Sequence, residues 1–167
     1  MVESDVVIRP AGPGDGQSIG SVFDAAVLDG WTYFPDIEQM VPMFEPAFWD
    51  AFVEDATSPD VLLVATDGPG GQVLGYVGTK VESSELWVLF VRPEAGGRGI
   101  GRRLLEQAER AVRGAGCDRV VLWTHEQNEH AQRVYRAAGY VADGATRTDE
   151  IKGHAFTEIR MTKPPES

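Results

Sequence analysis

A glycine-rich turn near the middle of the chain constrains the fold more than any other segment. Residues 85–91 are almost all apolar and predict a strand that is buried on both faces at the centre of the sheet. Pro93 ends that strand, and four glycines follow between positions 96 and 101. Apolar residues at helical spacing then predict a helix over residues 98–113, because they form one stripe along its surface. A second apolar run, 119–124, predicts the next strand. The sequence therefore predicts a parallel β–α–β unit.

The segments around this unit predict a mixed α/β protein. The first half of the chain contains β-branched and apolar runs, and two of them are separated by the hairpin-like loop 67–71. Antiparallel strands should therefore precede the β–α–β unit. The other predicted elements are strands over 6–9, 60–66, 72–81 and 157–162, a helix from the N-cap Asp15 to about Leu28, and helices over 46–55 and 131–138, the last ended by Gly139.

Length and charge restrict the number of domains and the class of ligand. A chain of 167 residues is expected to form one domain, residues 1–167. With 15 basic and 26 acidic side chains its net charge is −11, which argues against a nucleic-acid partner. The charge is −13 over residues 1–91, +3 over 92–136 and −1 over 137–167. This distribution favours an anionic ligand on the middle segment and a neutral or cationic ligand near the acidic part, although an ordinary solvated surface explains it as well.

The cysteine and histidine content and the hydropathy of the chain argue against disulfide-bonded, metal-binding and membrane proteins. The single cysteine, Cys117, cannot form an intrachain disulfide, and His125, His130 and His154 lack the spacing of a metal site. We therefore expect no metal cofactor. No apolar run approaches the roughly 20 residues of a membrane helix, and the acidic start lacks the basic segment of a signal peptide. A cytoplasmic protein with no membrane partner is the expectation.

The glycine turn has the properties of a phosphate site. The first turn of a helix presents unpaired N–H groups and the positive end of the helix dipole, and glycines let a phosphate approach the backbone. Two common phosphate loops do not match: a G-x-G-x-x-G motif beginning at Gly97 would need glycine where Arg102 stands, and a P-loop beginning at Gly96 would need Lys in place of the same arginine. A tight strand-to-helix turn without a ligand is the alternative explanation.

The residues resemble those of the GNAT superfamily of acetyl-CoA-dependent N-acetyltransferases. The family's signature is Arg or Gln, two residues, Gly, one residue, and Gly or Ala; here the turn runs from Gly96 through Gly99 to Gly101. Gly96 departs from the signature, so one side-chain contact to the phosphates is missing while the backbone N–H remains. A second motif lies about thirty residues downstream within 122–140, and its matching positions are Asn128, Ala131, Tyr135, Gly139 and Tyr140. The specific motifs fall within residues 85–142.

The resemblance implies a fold and a co-substrate site. The fold is a single α/β (α+β) domain with a mixed sheet of about six or seven strands, antiparallel in its first half, and about four helices. Acetyl-CoA would place its pyrophosphate on the amides of residues 97–102 and its pantetheine arm between strands 85–91 and 119–124. Asn128 is either a pantetheine contact or simply a helix N-cap. The implied cofactor-binding residues are Leu89, Val91, Gly96, Gly97, Arg98, Gly99, Ile100, Gly101, Arg102, Asn128 and Tyr135.

The resemblance also implies two catalytic residues. Tyr135 would lie near the thioester sulfur as the general acid for the leaving thiolate, and its alternative role is an aromatic residue of the core. Because a phenol has a higher pKa than a thiol, we expect it to stabilise the thiolate by hydrogen bonding more than by full proton donation. Glu85 would be the general base for the amine, and its alternative role is a solvated strand end. His125 and Glu126 are weaker candidates for the base. Direct attack is preferred over an acyl-enzyme, because Cys117 has no evident activating base.

The predicted function is the transfer of an acetyl group from acetyl-CoA to a primary amine of a small molecule or peptide. The acceptor should lie against residues 30–55 and 145–156, where Trp31, Tyr33, Phe34 and Trp49 are candidate walls. The acidic first half slightly favours a cationic, polyamine-like acceptor. A non-catalytic acyl-CoA-binding module is the alternative, and either a monomer or a homodimer is compatible with the sequence.

Overall fold

A computed structural model of the chain describes residues 5–165. The acidic start, on which the expectation of no signal peptide depends, lies outside the described residues apart from Asp5. Within the described part, no helix combines the length and the hydropathy needed to cross a bilayer.

Residues 5–165 contain one seven-stranded mixed sheet and five α-helices, as the predicted fold class requires. One helix more than the approximate prediction is present. The strands are β1 (Val6–Pro10), β2 (Leu62–Asp67), β3 (Val73–Lys80), β4 (Glu85–Val91), β5 (Val120–His125), β6 (Val141–Ile151) and β7 (His154–Lys163). The helices are α1 (Gly16–Gly30), α2 (Ile37–Met40), α3 (Pro46–Glu54), α4 (Ile100–Gly114) and α5 (Glu129–Ala137), with short 3-10 turns at Val81–Ser83 and Pro93–Ala95.

The strand order is β1-β2-β3-β4-β5-β7-β6. The first four strands are successive antiparallel neighbours, whereas β4 and β5 are parallel and joined through α4. The predicted β–α–β unit and the antiparallel first half are therefore confirmed. The predicted loop between β2 and β3 is also present, with Gly68 and Gly70 at φ of 77° and 70°, where glycine is favoured.

The two faces of the sheet carry separate hydrophobic clusters. Helix α4 packs on one face and buries Ile100, Leu104 and Leu105 there. Helices α1 to α3 pack on the other face, whose cluster includes Val22 and Trp49. The sheet is thus covered by helices on both sides, so that a ligand reaching through it would meet side chains from both clusters.

Strands β4 and β5 separate soon after they begin. The ladder between them contains the single pair Glu85 and Val121. This gap lies inside the sheet, because β4 is the central strand of the seven. The prediction that β4 is buried on both faces is consequently wrong: most of its residues are half-buried and the Trp87 side chain is 43% exposed. Gly78 pairs with Val88 while Thr79 pairs with Leu86, so Trp87 is the extra residue of a β-bulge.

Two helix starts differ from the prediction in detail. Helix α4 begins at Ile100 rather than at residue 98, because Gly97 and Gly99 adopt φ values of 81° and 74°, which interrupt a right-handed helix. Asp15 precedes α1 as predicted but makes no capping hydrogen bond. Its carboxylate instead accepts from the Arg9 guanidinium at 2.7 Å and from the Gly12 backbone N–H.

Helix α2 and strand β6 were not predicted, and β7 extends beyond the predicted 157–162. Strand β6 is exposed along nearly its whole length, so it lacks the alternation of apolar and polar residues that signals a half-buried strand. Its pairing with β7 places Arg147 opposite Glu158. The strand therefore depends on its partner for its conformation.

Candidate active site

A cleft of about 1040 Å³ passes between β4 and β5 where the two strands diverge. On the α4 side it is lined by the glycine turn and the start of α5, and on the opposite side by aromatic residues that include Trp31 and Tyr33. One continuous cleft therefore connects the predicted phosphate site with the predicted acceptor region. Nine of the twelve predicted site residues line it; the three that do not are Glu85, Arg98 and Arg102.

The glycine turn combines glycines required by the backbone with glycines that are not. Gly97 and Gly99 have positive φ, which disfavours any side chain there. At Gly101 the backbone is helical, and an added Cβ would meet its nearest atom, Val91 Cγ2, at 3.7 Å, an ordinary van der Waals contact. At Gly96 a Cβ would lie 3.2 Å from the Pro93 carbonyl oxygen, which is tight but not prohibitive. The fold therefore does not explain the glycine at position 101, whereas the approach of a phosphate would.

The start of α4 supplies the donors expected of an anion site. Arg103 N–H makes the first backbone bond of the helix, to the carbonyl of Gly99 at 3.1 Å. In helix geometry the amides of residues 100–102 come before that bond and have no intrahelical acceptor. They lie at the positive end of the helix dipole and beside the cleft, where Ile100 and Gly101 form part of its wall.

The arginines near this turn bond to the protein's own acceptors. Arg98 contacts the Asp67 carboxylate at 3.3 Å, and Arg102 contacts Glu106 at the same distance along α4. Arg98 and Arg102 do not line the cleft, but each is next in the chain to a glycine that does, and the Arg102 side chain is 74% exposed. Both remain predicted contacts for phosphate groups.

Asn128 is the N-cap of α5 and Tyr135 lies within that helix. Both residues line the cleft. The Asn128 side-chain oxygen accepts from Ala131 N–H at 3.1 Å, so the N-cap role is confirmed while its contact with a ligand stays a prediction. Tyr135 packs partly against the α4-side cluster, 6.1 Å from the ring of Tyr140. Burial raises the pKa of the Tyr135 phenol to about 12. The hydroxyl is therefore a neutral hydrogen-bond donor beside the cleft.

Glu85 lies at the end of β4 far from the glycine turn, next to the cleft-lining residue Leu86. Burial raises the pKa of its carboxyl, and the nearby charge of Arg147 partly offsets this shift. Ser83 Oγ donates to Glu85 Oε2 at 3.3 Å. A raised pKa suits a general base for an amine, so Glu85 stays a predicted base that would act from just outside the cleft.

Sequence reasoning missed the pairing of two polar residues on the aromatic side of the cleft. The Tyr33 hydroxyl and His125 Nδ1 form a hydrogen bond, joining the α1–α2 connection to the end of β5. The imidazole ring lies 4.5 Å from Trp31 and 4.6 Å from Phe156, centroid to centroid. Burial lowers the pKa of His125 to about 4 and raises that of Tyr33. No sequence signal joins residues 92 positions apart, so this contact required the structure.

The structure also locates the predicted acceptor walls and the single cysteine. Trp31, Tyr33 and Trp49 line the cleft, whereas Phe34 is buried beneath it. Cys117 lies away from the cleft, with its Sγ 3.5 Å from the carbonyl oxygen of Val81. No group of three or more His, Cys, Asp or Glu side chains in residues 5–165 is arranged to hold a metal ion.

Comparison with known sequences identifies the family. The sequence profile of the acetyltransferase (GNAT) family matches residues 25–140. The chain belongs to the GNAT acetyltransferase family. Similar curated proteins include a mycothiol acetyltransferase of Stackebrandtia nassauensis, 42% identical over an alignment of 93 residues that covers 52% of this chain and 30% of that protein. One from Beutenbergia cavernae is 35% identical over an alignment of 85 residues that covers 49% of this chain and 29% of the relative. The match thus spans about 30% of the length of these relatives.

Solved structures of GNAT proteins share the fold over nearly the whole chain. A GCN5-related N-acetyltransferase from Rhodopseudomonas palustris superposes with a TM-score of 0.80 at 23% identity, covering 98% of each chain. The PaiA N-acetyltransferase of Thermoplasma acidophilum, solved with coenzyme A, gives a TM-score of 0.76 at 19% identity and covers 96% of this chain and 99% of its own. The YncA acetyltransferase of Salmonella typhimurium, solved with acetyl-CoA, gives 0.72 at 20% identity, with coverage of 98% and 96%.

The residues of this GNAT chain fit coenzyme A. The open space at Gly101 and the first-turn amides of α4 suit a pyrophosphate. Beyond Glu85, the β4 edge that faces β5 is free of the β5 ladder, so its backbone groups can pair with the amides of an extended pantetheine arm. Leu89 and Val91 belong to this edge and line the cleft.

Proposed function

We propose that this GNAT chain transfers an acetyl group from acetyl-CoA to a primary amine by direct attack in a ternary complex. The observation that carries the proposal is the single cleft through the sheet, which joins the glycine turn on one face to the aromatic region on the other. Acetyl-CoA, when bound, supplies an activated acyl group as a thioester. The acceptor then enters from the opposite face, so that both substrates meet between β4 and β5.

The chain's residues have distinct roles in this proposal. Gly96, Gly97, Gly99, Ile100 and Gly101 bind the pyrophosphate through backbone groups. The main-chain groups of β4 orient the pantetheine arm along the strand. Water is displaced from the junction by the cleft's aromatic walls, which strengthens hydrogen bonds made there.

Two residues handle the proton and the leaving group. An ammonium of pKa near 10.4 must lose a proton before it attacks, at a cost of about 4 kcal/mol near pH 7.5. Glu85 is the proposed acceptor of that proton, through water, since it lies just outside the cleft wall. Tyr135 donates a hydrogen bond to the leaving sulfur and keeps its own proton, because burial holds its pKa near 12.

Release of free thiol from acetyl-CoA tests the proposal. The purified chain is incubated with acetyl-CoA and a panel of small amines, short peptides and the acceptor of the mycothiol acetyltransferases, and thiol is followed with a chromogenic disulfide. We expect amine-dependent release with at least one member, and mass spectrometry of a mixture of peptides and small amines identifies the acetylated product. Tight binding of acetyl-CoA with no amine-dependent release would instead support an acyl-CoA-binding module.

A further inference from the structure

We propose that the acceptor is a monoamine with a flat, apolar body, and that its amino group is received by the imidazole of His125. The proposal rests on the proposed function and specifies the acceptor of that same site. It follows from the hydrogen bond between Tyr33 and His125 and from the aromatic rings that surround this pair.

His125 is held in a fixed orientation at the inner end of the acceptor side. It is the last residue of β5 and 8% exposed, yet it belongs to the cleft wall. Its Nδ1 is bonded to the Tyr33 hydroxyl, and Trp31 and Phe156 flank the ring. When Nδ1 carries the ring proton and donates it to the Tyr33 oxygen, the unprotonated Nε2 is the ring atom that can accept from an amine N–H.

The charge state of this imidazole suits recognition rather than proton removal. Because burial lowers its pKa to about 4, His125 is neutral near pH 7 and does not repel an incoming amine. The same low pKa makes it a weaker base than Glu85, whose carboxyl pKa is raised by burial. Glu158, its partner on β7, also lines the cleft but is engaged by Arg147 at 2.8 Å. His125 is therefore a binding residue, and the proton leaves by another group.

Aromatic side chains from several elements form the acceptor side of the cleft. The rings of Phe44 and Phe48 stack with centroids 4.2 Å apart, and Phe52 stacks on Trp87 at 5.3 Å. Phe48 and Trp87 are 42% and 43% exposed, so part of each ring is open to a ligand, although each is stacked on a neighbour and Lys80 Nζ lies 4.3 Å from the centre of the Trp87 ring. A flat apolar body can bury its surface against such rings.

The charged residues of the cleft do not suit a polyamine. The first 91 residues of the chain carry 15 acidic side chains, but among the described ones Asp29 alone lines the cleft. The acidity that favoured a cationic acceptor is therefore located elsewhere on the surface. Two further carboxylates line the cleft: Glu158 is paired with Arg147, and Glu129 lies in the first turn of α5 on the co-substrate side. A second ammonium group among the rings would lose its hydration with only Asp29 of these described carboxylates left to compensate, which is unfavourable.

A comparison of two probe amines tests the substrate class with the unmodified protein. We expect kcat/KM for 2-phenylethylamine to exceed that for spermidine by at least about tenfold, read as thiol release from acetyl-CoA. Equal or better use of spermidine would overturn the proposed class. This comparison uses only the unmodified protein, so its outcome does not depend on whether a variant folds.

Two substitutions of His125 separate ligand contact from structural support. The side-chain amide of Asn reaches the position of imidazole Nδ1, whereas that of Gln reaches the position of Nε2. If Nε2 meets the amine, His125→Asn raises the amine KM by at least about tenfold, His125→Gln leaves it within about threefold, and both leave the acetyl-CoA KM within about threefold. The reverse order would show that the ring acts only by supporting Tyr33. His154→Asn, outside the cleft wall, is the matched control.

Failure of the proposed function remains distinguishable from failure of this inference. If no amine promotes thiol release, calorimetric titration of 2-phenylethylamine into the protein with bound coenzyme A still reports recognition. Binding that is lost in His125→Asn and retained in His125→Gln supports the inference without turnover. The absence of binding to the unmodified protein, or equal binding by both variants, would refute it.

Discussion

Burial of the Tyr135 hydroxyl determines whether it can give up its proton or only donate a hydrogen bond. A phenol of pKa near 12 gives its proton to a thiolate, whose conjugate acid has a pKa near 8.5, only at a cost of about 5 kcal/mol. Hydrogen bonding to the sulfur avoids this cost. The same burial keeps the phenol protonated across the neutral range, so the residue can donate at any pH at which the amine reacts.

We therefore expect Tyr135→Phe to lower kcat by about tenfold or more and to leave acetyl-CoA affinity within a few-fold. The ring and its packing are retained, while the donor is removed. Steady-state kinetics together with calorimetric titration of acetyl-CoA measure the two effects separately. The pH profile of kcat should also keep its shape below about pH 10, because the phenol does not ionise there. Unchanged turnover would remove Tyr135 from the chemistry.

Helix α4 contains two glycines that offer a matched test of the phosphate site. Gly101 and Gly114 lie in its first and last turns, and neither has a positive φ. Gly101→Val should raise the dissociation constant of coenzyme A by at least about tenfold, because a branched side chain would occupy the space used by the phosphate. Gly114→Val, at the far end of the helix, should bind normally.

The free energy of unfolding should be similar in Gly101→Val and Gly114→Val, although their affinities for coenzyme A differ. Valine favours a helix over glycine by a few tenths of a kcal/mol, and the nearest atom to a Cβ at position 101 is 3.7 Å away. Denaturant unfolding of the unliganded proteins should therefore show both variants close to the unmodified chain. Normal coenzyme A affinity in Gly101→Val would count against the phosphate site at this turn.

The unpaired edges of β4 and β5 predict a response of the whole molecule to coenzyme A. A ligand bound at about 100 times its dissociation constant stabilises the folded state by about 2.7 kcal/mol, or about 5–10 °C in melting temperature for a domain of this size. Hydrogen exchange should slow most in residues 86–91 and 97–103. Strand β6, remote from the cleft except at Ile151, serves as the internal control. Uniform protection or no thermal shift would contradict the placement of the ligand.

The sequence alone determined the elements whose signals are local. The apolar run of β4, the helical stripe of α4 and the glycines between them each produce a characteristic pattern within about fifteen residues. Hence the β–α–β unit, the glycine turn before α4 and the family resemblance were predictable. Strand β6 was not, because its exposed residues carry no periodicity and its conformation depends on pairing with β7.

Tertiary structure decided the acceptor side of the site. The divergence of β4 from β5 converts a predicted buried strand into a cleft wall, and the approach of Tyr33 to His125 creates a polar pair from residues far apart in the chain. It also places the acidic residues of the first half mostly outside the cleft, which the summed charge could not reveal. Periodicity and backbone propensity report on neighbours in sequence, whereas burial and pairing across the sheet depend on contacts that exist only once the chain has folded.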